Sequence, residues 1–107
     1  MTSGELDARV TFYEPRKVTD TLRGQAVEYD ELCTVACQWR GLTSRELMLA
    51  QAMTVVPQYR VTVRYVKGLT VQHRAEKVGG DDGMCQVVSV TRIDNDRYLE
   101  LDVVKVL

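Results

Sequence analysis

A mainly β fold is predicted for this chain: a small antiparallel β-barrel of about six strands, with one short α-helix after the second strand and a long loop after the first. Three observations carry that expectation. Several short runs alternate apolar and polar residues with a period of two. One run opens with a helix-capping signature followed by strong helix formers. Turn-forming residues separate the runs at short intervals. At 107 residues, 45% hydrophobic and 27% charged, the chain suits one globular domain spanning 1–107.

Residues 8–14, ARVTFYE, alternate with Val10 and Phe12 on one side, and Pro15 is expected to end this first strand. Residues 15–27 are polar, contain Gly24 and read as a long loop or the tip of an extended hairpin. In residues 32–40 Cys33, Val35, Cys37 and Trp39 share a face, with Thr34, Ala36, Gln38 and Arg40 opposite. Thr43-Ser44-Arg45-Glu46 then has capping-box spacing, and LMLAQAM follows without Gly or Pro. The spacing predicts a helix over about 44–53.

Residues 58–66 form the clearest strand, with Tyr59, Val61, Val63 and Tyr65 facing the core and Gln58, Arg60, Thr62 and Arg64 facing away. Lys67-Gly68 is a turn signal. Residues 70–78 read as a more polar strand, and residues 79–83 as a loop. The strands over 84–93 and 97–106 flank a hairpin turn at Asp94-Asn95-Asp96. A break in alternation at Val87-Val88 predicts a β-bulge.

The charge balance argues against whole-molecule attraction to nucleic acid, since 14 basic and 15 acidic residues leave a formal net charge of -1. Charge is uneven along the chain, however. Residues 1–39 carry 4 basic and 7 acidic groups, residues 40–77 carry 7 and 2, and residues 78–107 carry 3 and 6. Either these segments interleave on folding, or they leave opposed surfaces suited to head-to-tail association of identical copies. The first ten residues hold no apolar leader core, and the apolar runs are only a few residues long, so neither secretion nor membrane insertion is expected.

No catalytic, cofactor or metal site is expected. His73 is the single histidine and has no nucleophile elbow beside it. Cys33 and Cys37 fall on one strand face about 13 Å apart, too far for a disulfide and wrongly spaced for a zinc knuckle. With Cys85 they read as free buried thiols in a reducing cytoplasm. Asp81-Asp82 and Asp94-x-Asp96 lack the further ligands of a calcium loop and read as turn formers. Gly79-Gly80 is not followed by the lysine and helix of a phosphate loop.

Taken in order, the chain resembles the phage head–tail joining family, also called head-closure or stopper proteins. Leu6-Asp7-Ala8-Arg9-Val10-Thr11 is similar to the family's opening L-x-x-R-I-T strand, and Asp20-Thr21-Leu22-Arg23-Gly24-Gln25 to its D-x-x-G stretch. Glu28-Tyr29 stands where many members carry an acidic or polar residue and a Trp. Val35-Ala36-Cys37-Gln38-Trp39 resembles the strand V-x-V-W-A with its Trp displaced. Arg45-Glu46 with Leu49-Ala50-Gln51 is similar to G-R-E-x-x-x-A-Q, and Tyr59–Tyr65 resembles Y-R-V-T-I-R-Y, the most specific piece. Val88-Ser89-Val90 and the hairpin to Leu99-Glu100-Leu101 complete the series. The Val78–Met84 turn is longer than the usual G-x-x-Y hairpin, and Cys85 stands at the expected Tyr.

The resemblance implies a virion protein at the head–tail junction, made in the bacterial host cytoplasm. It would form a ring below the portal and adaptor, close the DNA-filled head and offer the tail an attachment surface. Implied partners are the portal or adaptor proteins, the tail proteins, further copies of the chain and packaged DNA in the channel; no membrane is involved. By position, the channel loop would be Pro15–Val27, with Arg16, Lys17, Asp20, Arg23 and Gly24 as its candidate residues. Arg45, Glu46, Arg60 and Arg64 are candidates for subunit contacts; Arg60 and Arg64 read equally as a solvated strand face. Two other readings stay open: a tail-completion or terminator ring subunit, and a small oligonucleotide-binding barrel for single strands.

Overall fold

In the computed structural model the chain forms six antiparallel strands and one helix: β1 (Ala8–Asp20), β2 (Gly24–Gly41), α1 (Ser44–Ala50), β3 (Tyr59–Arg64), β4 (Arg74–Lys77), β5 (Met84–Ile93) and β6 (Tyr98–Lys105). The structure describes residues 6–20, 24–51, 55–81 and 83–106. The strands close into a barrel in the order β1-β2-β3-β6-β5-β4. Closure leaves no open sheet edge around the barrel itself.

Alternation places the core as the sequence pattern predicts. Val10 and Phe12 from β1, Cys37 from β2, Val61 and Val63 from β3, and Leu101 and Val103 from β6 are all fully buried. Cys33, Val35 and Trp39 pack against this cluster from the rest of the inward face of β2. Cys33 is half-buried, Cys37 and Cys85 are buried, and none of the three is in a disulfide. Burial pushes the Cys37 thiol up to about 11, so it stays protonated.

Several elements differ from expectation for physical reasons. Pro15 does not end the first strand: β1 runs on to Asp20, paired with β2 down to the Asp20–Gly24 rung. Beyond Tyr13 the outer side of β1 has no neighbouring strand, because β4 pairs only with Val10–Tyr13. A residue without an N–H is tolerated on such an edge. Residues 15–27 thus follow the extended-hairpin reading and not the long loop: a two-stranded arm projects from the barrel, and the molecule measures 48 × 30 × 28 Å. Where the arm leaves the barrel, the register slips between Phe12 and Tyr13, and Leu32 is the extra residue on β2.

The polar strand expected over 70–78 is shortened to Arg74–Lys77, with a turn before it. Tyr65 lies past the end of β3 and is 41% exposed, so it is not core; Arg92 stacks on its ring at 5.2 Å. The helix ends at Ala50 with Gln51 as its C-cap; residues 52–54 lie outside the described residues. The bulge at Val87-Val88 is present, with the β5–β6 register shifting between Val87 and Ser89. Asp94, Asn95 and Asp96 all adopt positive φ (52°, 55° and 64°), a region that Asp and Asn enter more readily than other side-chain-bearing residues.

Candidate functional site

Two regions carry the features a structural protein would use: a charged seam that fixes α1, and a groove at the root of the arm.

The seam begins with the register. β3 pairs with β6 so that Arg60 lies opposite Asp102, and β2 pairs with β3 so that Arg40 lies opposite Arg60. Two guanidiniums side by side need carboxylates. Arg60 donates to Asp102 through Nε at 2.8 Å and Nη2 at 3.3 Å, with Glu100 at 3.4 Å from Nε. Arg40 grips Glu46 with two parallel hydrogen bonds of 2.8 and 3.1 Å. Arg60 also donates through Nη1 to Glu46 Oε2. The β5 bulge brings Ser89 opposite Asp102, and its hydroxyl adds a 3.3 Å hydrogen bond.

Glu46 also completes the helix cap. Its carboxylate accepts from the Thr43 backbone N–H at 2.9 Å, and its own N–H donates to Thr43 Oγ1 at 3.2 Å. One side chain thus closes the start of α1 and locks it to β2 and β3. The Arg40 hydrogen bonds, then that of the Thr43 backbone, hold the Glu46 carboxyl well below the usual carboxylate range.

Locked in this way, α1 leaves large apolar groups in solvent. Met48 is 71% exposed and Leu49 75%. Ala50 is the buried residue of the helix. Arg45 is exposed and, three and four residues before Met48 and Leu49, falls on the same helix side. The sequence signal was present: LMLA within so short a helix holds more apolar residues than one buried stripe needs.

The groove lies where the arm meets the barrel. Pro15, Val27, Tyr29, Val71, Gln72 and Gln86 line a space of about 490 Å³. Pro15 pairs with Tyr29 and Lys17 with Val27, which puts Pro15, Val27 and Tyr29 on one face of the arm. The other face carries Glu14, Arg16, Glu28 and Asp30, with Arg16 bridging Glu28 at 3.1 Å and Asp30 at 3.0 Å. On the barrel side, Gln86 Nε2 donates to the carbonyls of Val71 (2.6 Å) and His73 (3.1 Å), fixing the turn before β4. The Arg74 guanidinium sits 4.1 Å from the centre of the Tyr29 ring, holding the arm against that turn. Sequence reading missed this groove, because it joins residues far apart in the chain.

The sequence-predicted residues divide between these regions. Arg60 and Glu46 meet in the seam. Arg45 is on the exposed side of α1, and Arg64 is exposed at the end of β3, beside Arg97 and Tyr98 in a smaller cleft. Arg16 is on the charged face of the arm, and Gly24 pairs with Asp20 at its far end. Arg23 lies outside the described residues, as do the side chains of Lys17 and Asp20. His73 is half-buried, and its Nδ1 lies 3.1 Å from Thr70 Oγ1. Among the described residues no cluster of three or more metal-ligating side chains occurs, and no helix is long and apolar enough to cross a membrane.

No protein of curated function matches the chain. Solved structures share its fold, among them the following two. Protein SF1141 from Shigella flexneri 2a, solved in solution, superposes at a TM-score of 0.80 with 18% identity, over 98% of this chain and 96% of that one. A chain in the virion of a native gene transfer agent particle superposes at 0.59 with 14% identity, over 92% and 94%. The family model described as phage head completion protein matches residues 1–106, and the chain therefore belongs to the phage head completion protein family.

Proposed function

We propose that this chain is a ring-forming structural subunit of the head–tail connector, lying below the portal or adaptor, closing the DNA-filled head and presenting a surface to the tail. The observation that carries the proposal is the family match, which spans 1–106 and is to head completion proteins. A structural role in the phage head, and a place in the virion, follow from that membership. The finer reading rests on the molecule's form. A closed barrel gives a rigid body, a two-stranded arm gives reach, and both the arm root and α1 offer apolar surface for neighbours.

A non-enzymatic role fits the same features. The one histidine is engaged with a neighbouring threonine, and the charged seam is spent on fixing a helix. The arm takes the place of the expected channel loop, and we assign it the task of reaching the DNA or the next protein along the axis. Nucleic-acid binding through Arg60 loses its support, since that guanidinium is saturated by carboxylates.

The test is genetic and structural. A phage lacking this chain is expected to package DNA and then lose it, or to give filled heads without tails, as seen by electron microscopy. Supplying a version lacking Lys17 to Gly24 is expected to restore protein but not stable heads. Normal yield without the chain would sink the connector reading; normal yield with the shortened arm would sink the role given to the arm.

A further inference from the structure

We infer that the outer edge of β2 on the arm, residues 27–31, takes up an extended segment of another protein as an added strand, a segment in which Lys or Arg alternates with apolar residues. This rests on the reading of the arm as a reaching element, and it chooses a protein over DNA as what the arm meets. Strand pairing is the first support. β2 holds β1 along one side from Gly24 to Cys37. On its other side β3 reaches only Cys37 to Gly41. Among the described residues no strand covers that second side from 24 to 36, so its backbone donors and acceptors have no ladder partner. Such an edge is the template on which a further strand forms.

The two edges of the arm are guarded differently. On β1, Pro15 interrupts the row of donors, and no strand can pair straight through it. Residues 27–36 of β2 hold neither proline nor glycine, and Val27, Tyr29, Thr34 and Val35 favour extended backbone. That edge is guarded by charge alone. Glu28, Asp30 and Glu31 are exposed, and no basic residue lies between 27 and 36. Arg16 bridges Glu28 and Asp30 from β1, but Glu14 shares their face, so three carboxylates share one guanidinium. A charge guard is selective: it repels the same edge of a second copy and attracts a strand of opposite charge.

The order of side chains along the edge specifies the partner. Val27, Tyr29 and Glu31 lie on one face of the arm, Glu28 and Asp30 on the other. A strand laid against this edge sets one of its own residues opposite each in turn. Lys or Arg fits opposite Glu28 and Asp30; apolar residues fit opposite Tyr29 and Val27, which is 54% exposed. Leu32, the extra residue of the bulge, bends β2 just beyond and limits the added strand to about five residues. The Arg74 guanidinium holds the Tyr29 ring at 4.1 Å, so the edge is presented in a fixed position and less order is lost on docking. The same carboxylates repel a phosphate backbone, which sets DNA aside as the occupant.

The experiment titrates the full chain with synthetic peptides and follows amide hydrogen exchange residue by residue. A capped peptide alternating Lys and Val is expected to slow exchange of alternate amides within 27–31 by at least about fivefold, and to leave the β1 edge unchanged. The same peptide with its central Val replaced by Pro keeps the charge but cannot pair, and is expected to protect nothing. Glu28→Lys with Asp30→Lys, both exposed positions, is expected to weaken binding of the Lys-Val peptide by about tenfold. Circular dichroism melts check that this variant folds as the parent does; if it does not, Asp30→Asn makes the same comparison with a loss of about threefold. Protection of these amides by the Pro-containing peptide, by a Glu-Val peptide or by a DNA duplex would overturn the inference, and so would no protection by the Lys-Val peptide up to its solubility limit. None of these results touches the connector reading, which fails separately if heads are completed without the chain.

Discussion

The barrel and the arm are built from the same two strands, yet they are held together by different physics. From Ala8 to Phe12 β1 is flanked by strands on both sides or lines the core, and Val10 and Phe12 are fully buried. From Glu14 onward it has a single partner, and none of the arm's described side chains is in the buried core. The bulge at Phe12/Tyr13 marks the change. Barrel stability comes from apolar burial across a closed sheet. Among its described residues the arm relies on ladder hydrogen bonds, the two exposed ion pairs of Arg16 and one cation–π contact, each of small net worth. The lesson is that strand length and strand stability are independent: β2, with 18 residues, crosses from the most secure part of the molecule to the least.

The sharpest way to break that contrast is Phe12→Ala. Emptying a fully buried site at the barrel end is expected to cost about 3–5 kcal/mol in chemical denaturation, whereas Val27→Ala, a short distance along the arm, is expected to change stability by less than about 0.5 kcal/mol. Equal effects would mean that arm and barrel share one core. Next in size is Asp102→Ala. It removes the bidentate partner of a largely enclosed Arg60, and about 1–3 kcal/mol is expected. A negligible cost would show that Glu46 and Glu100 suffice for Arg60.

A pH series probes the seam more gently. The folded-state carboxyl of Glu46 is depressed, so the stability it supplies is fully present above its unfolded value of about 4.3 and is lost as pH falls through the lower folded value. Glu46→Gln is therefore expected to lower the denaturation midpoint at pH 6 and to flatten its fall between pH 4 and acid. An unchanged acid slope would place the acid sensitivity elsewhere. Smallest of all is the effect of trimming the arm. Replacing Lys17 to Gly24 with Asn-Gly is expected to leave the barrel within about 0.5 kcal/mol of the parent. Hydrogen exchange should show fast arm amides beside protected barrel amides in both proteins. A large loss on trimming would mean the arm braces the barrel.

What the sequence made legible follows the same boundary. Where one face is buried, alternation was a reliable guide: β5 matches the expected 84–93, the bulge at Val87-Val88 is in place, and Cys37, Val61 and Val63 are core. The capping box is legible in the sequence because it is a purely local device. Alternation misled at Tyr65, since the pattern outlasts the strand by one residue. Pro15 misled because a proline stops a central strand but not an edge, and edge status is a tertiary fact. The groove needs Tyr29, Val71 and Gln86 together, residues that no local pattern connects. The charge asymmetry of the three segments was visible, and the Arg60–Asp102 and Arg60–Glu100 pairs are how two of them interleave.

Pro15 and the carboxylates of the arm have one more consequence, for the time before assembly. A protein with two bare strand edges is at risk in a crowded host cell, where identical arms can zip edge to edge into open-ended aggregates. Pro15 interrupts the row of donors along β1, and Glu28 and Asp30 would set like charges against each other in any such ladder. Both features oppose pairing of one outstretched arm with another, so the sequence of the arm restrains aggregation as well as giving it reach.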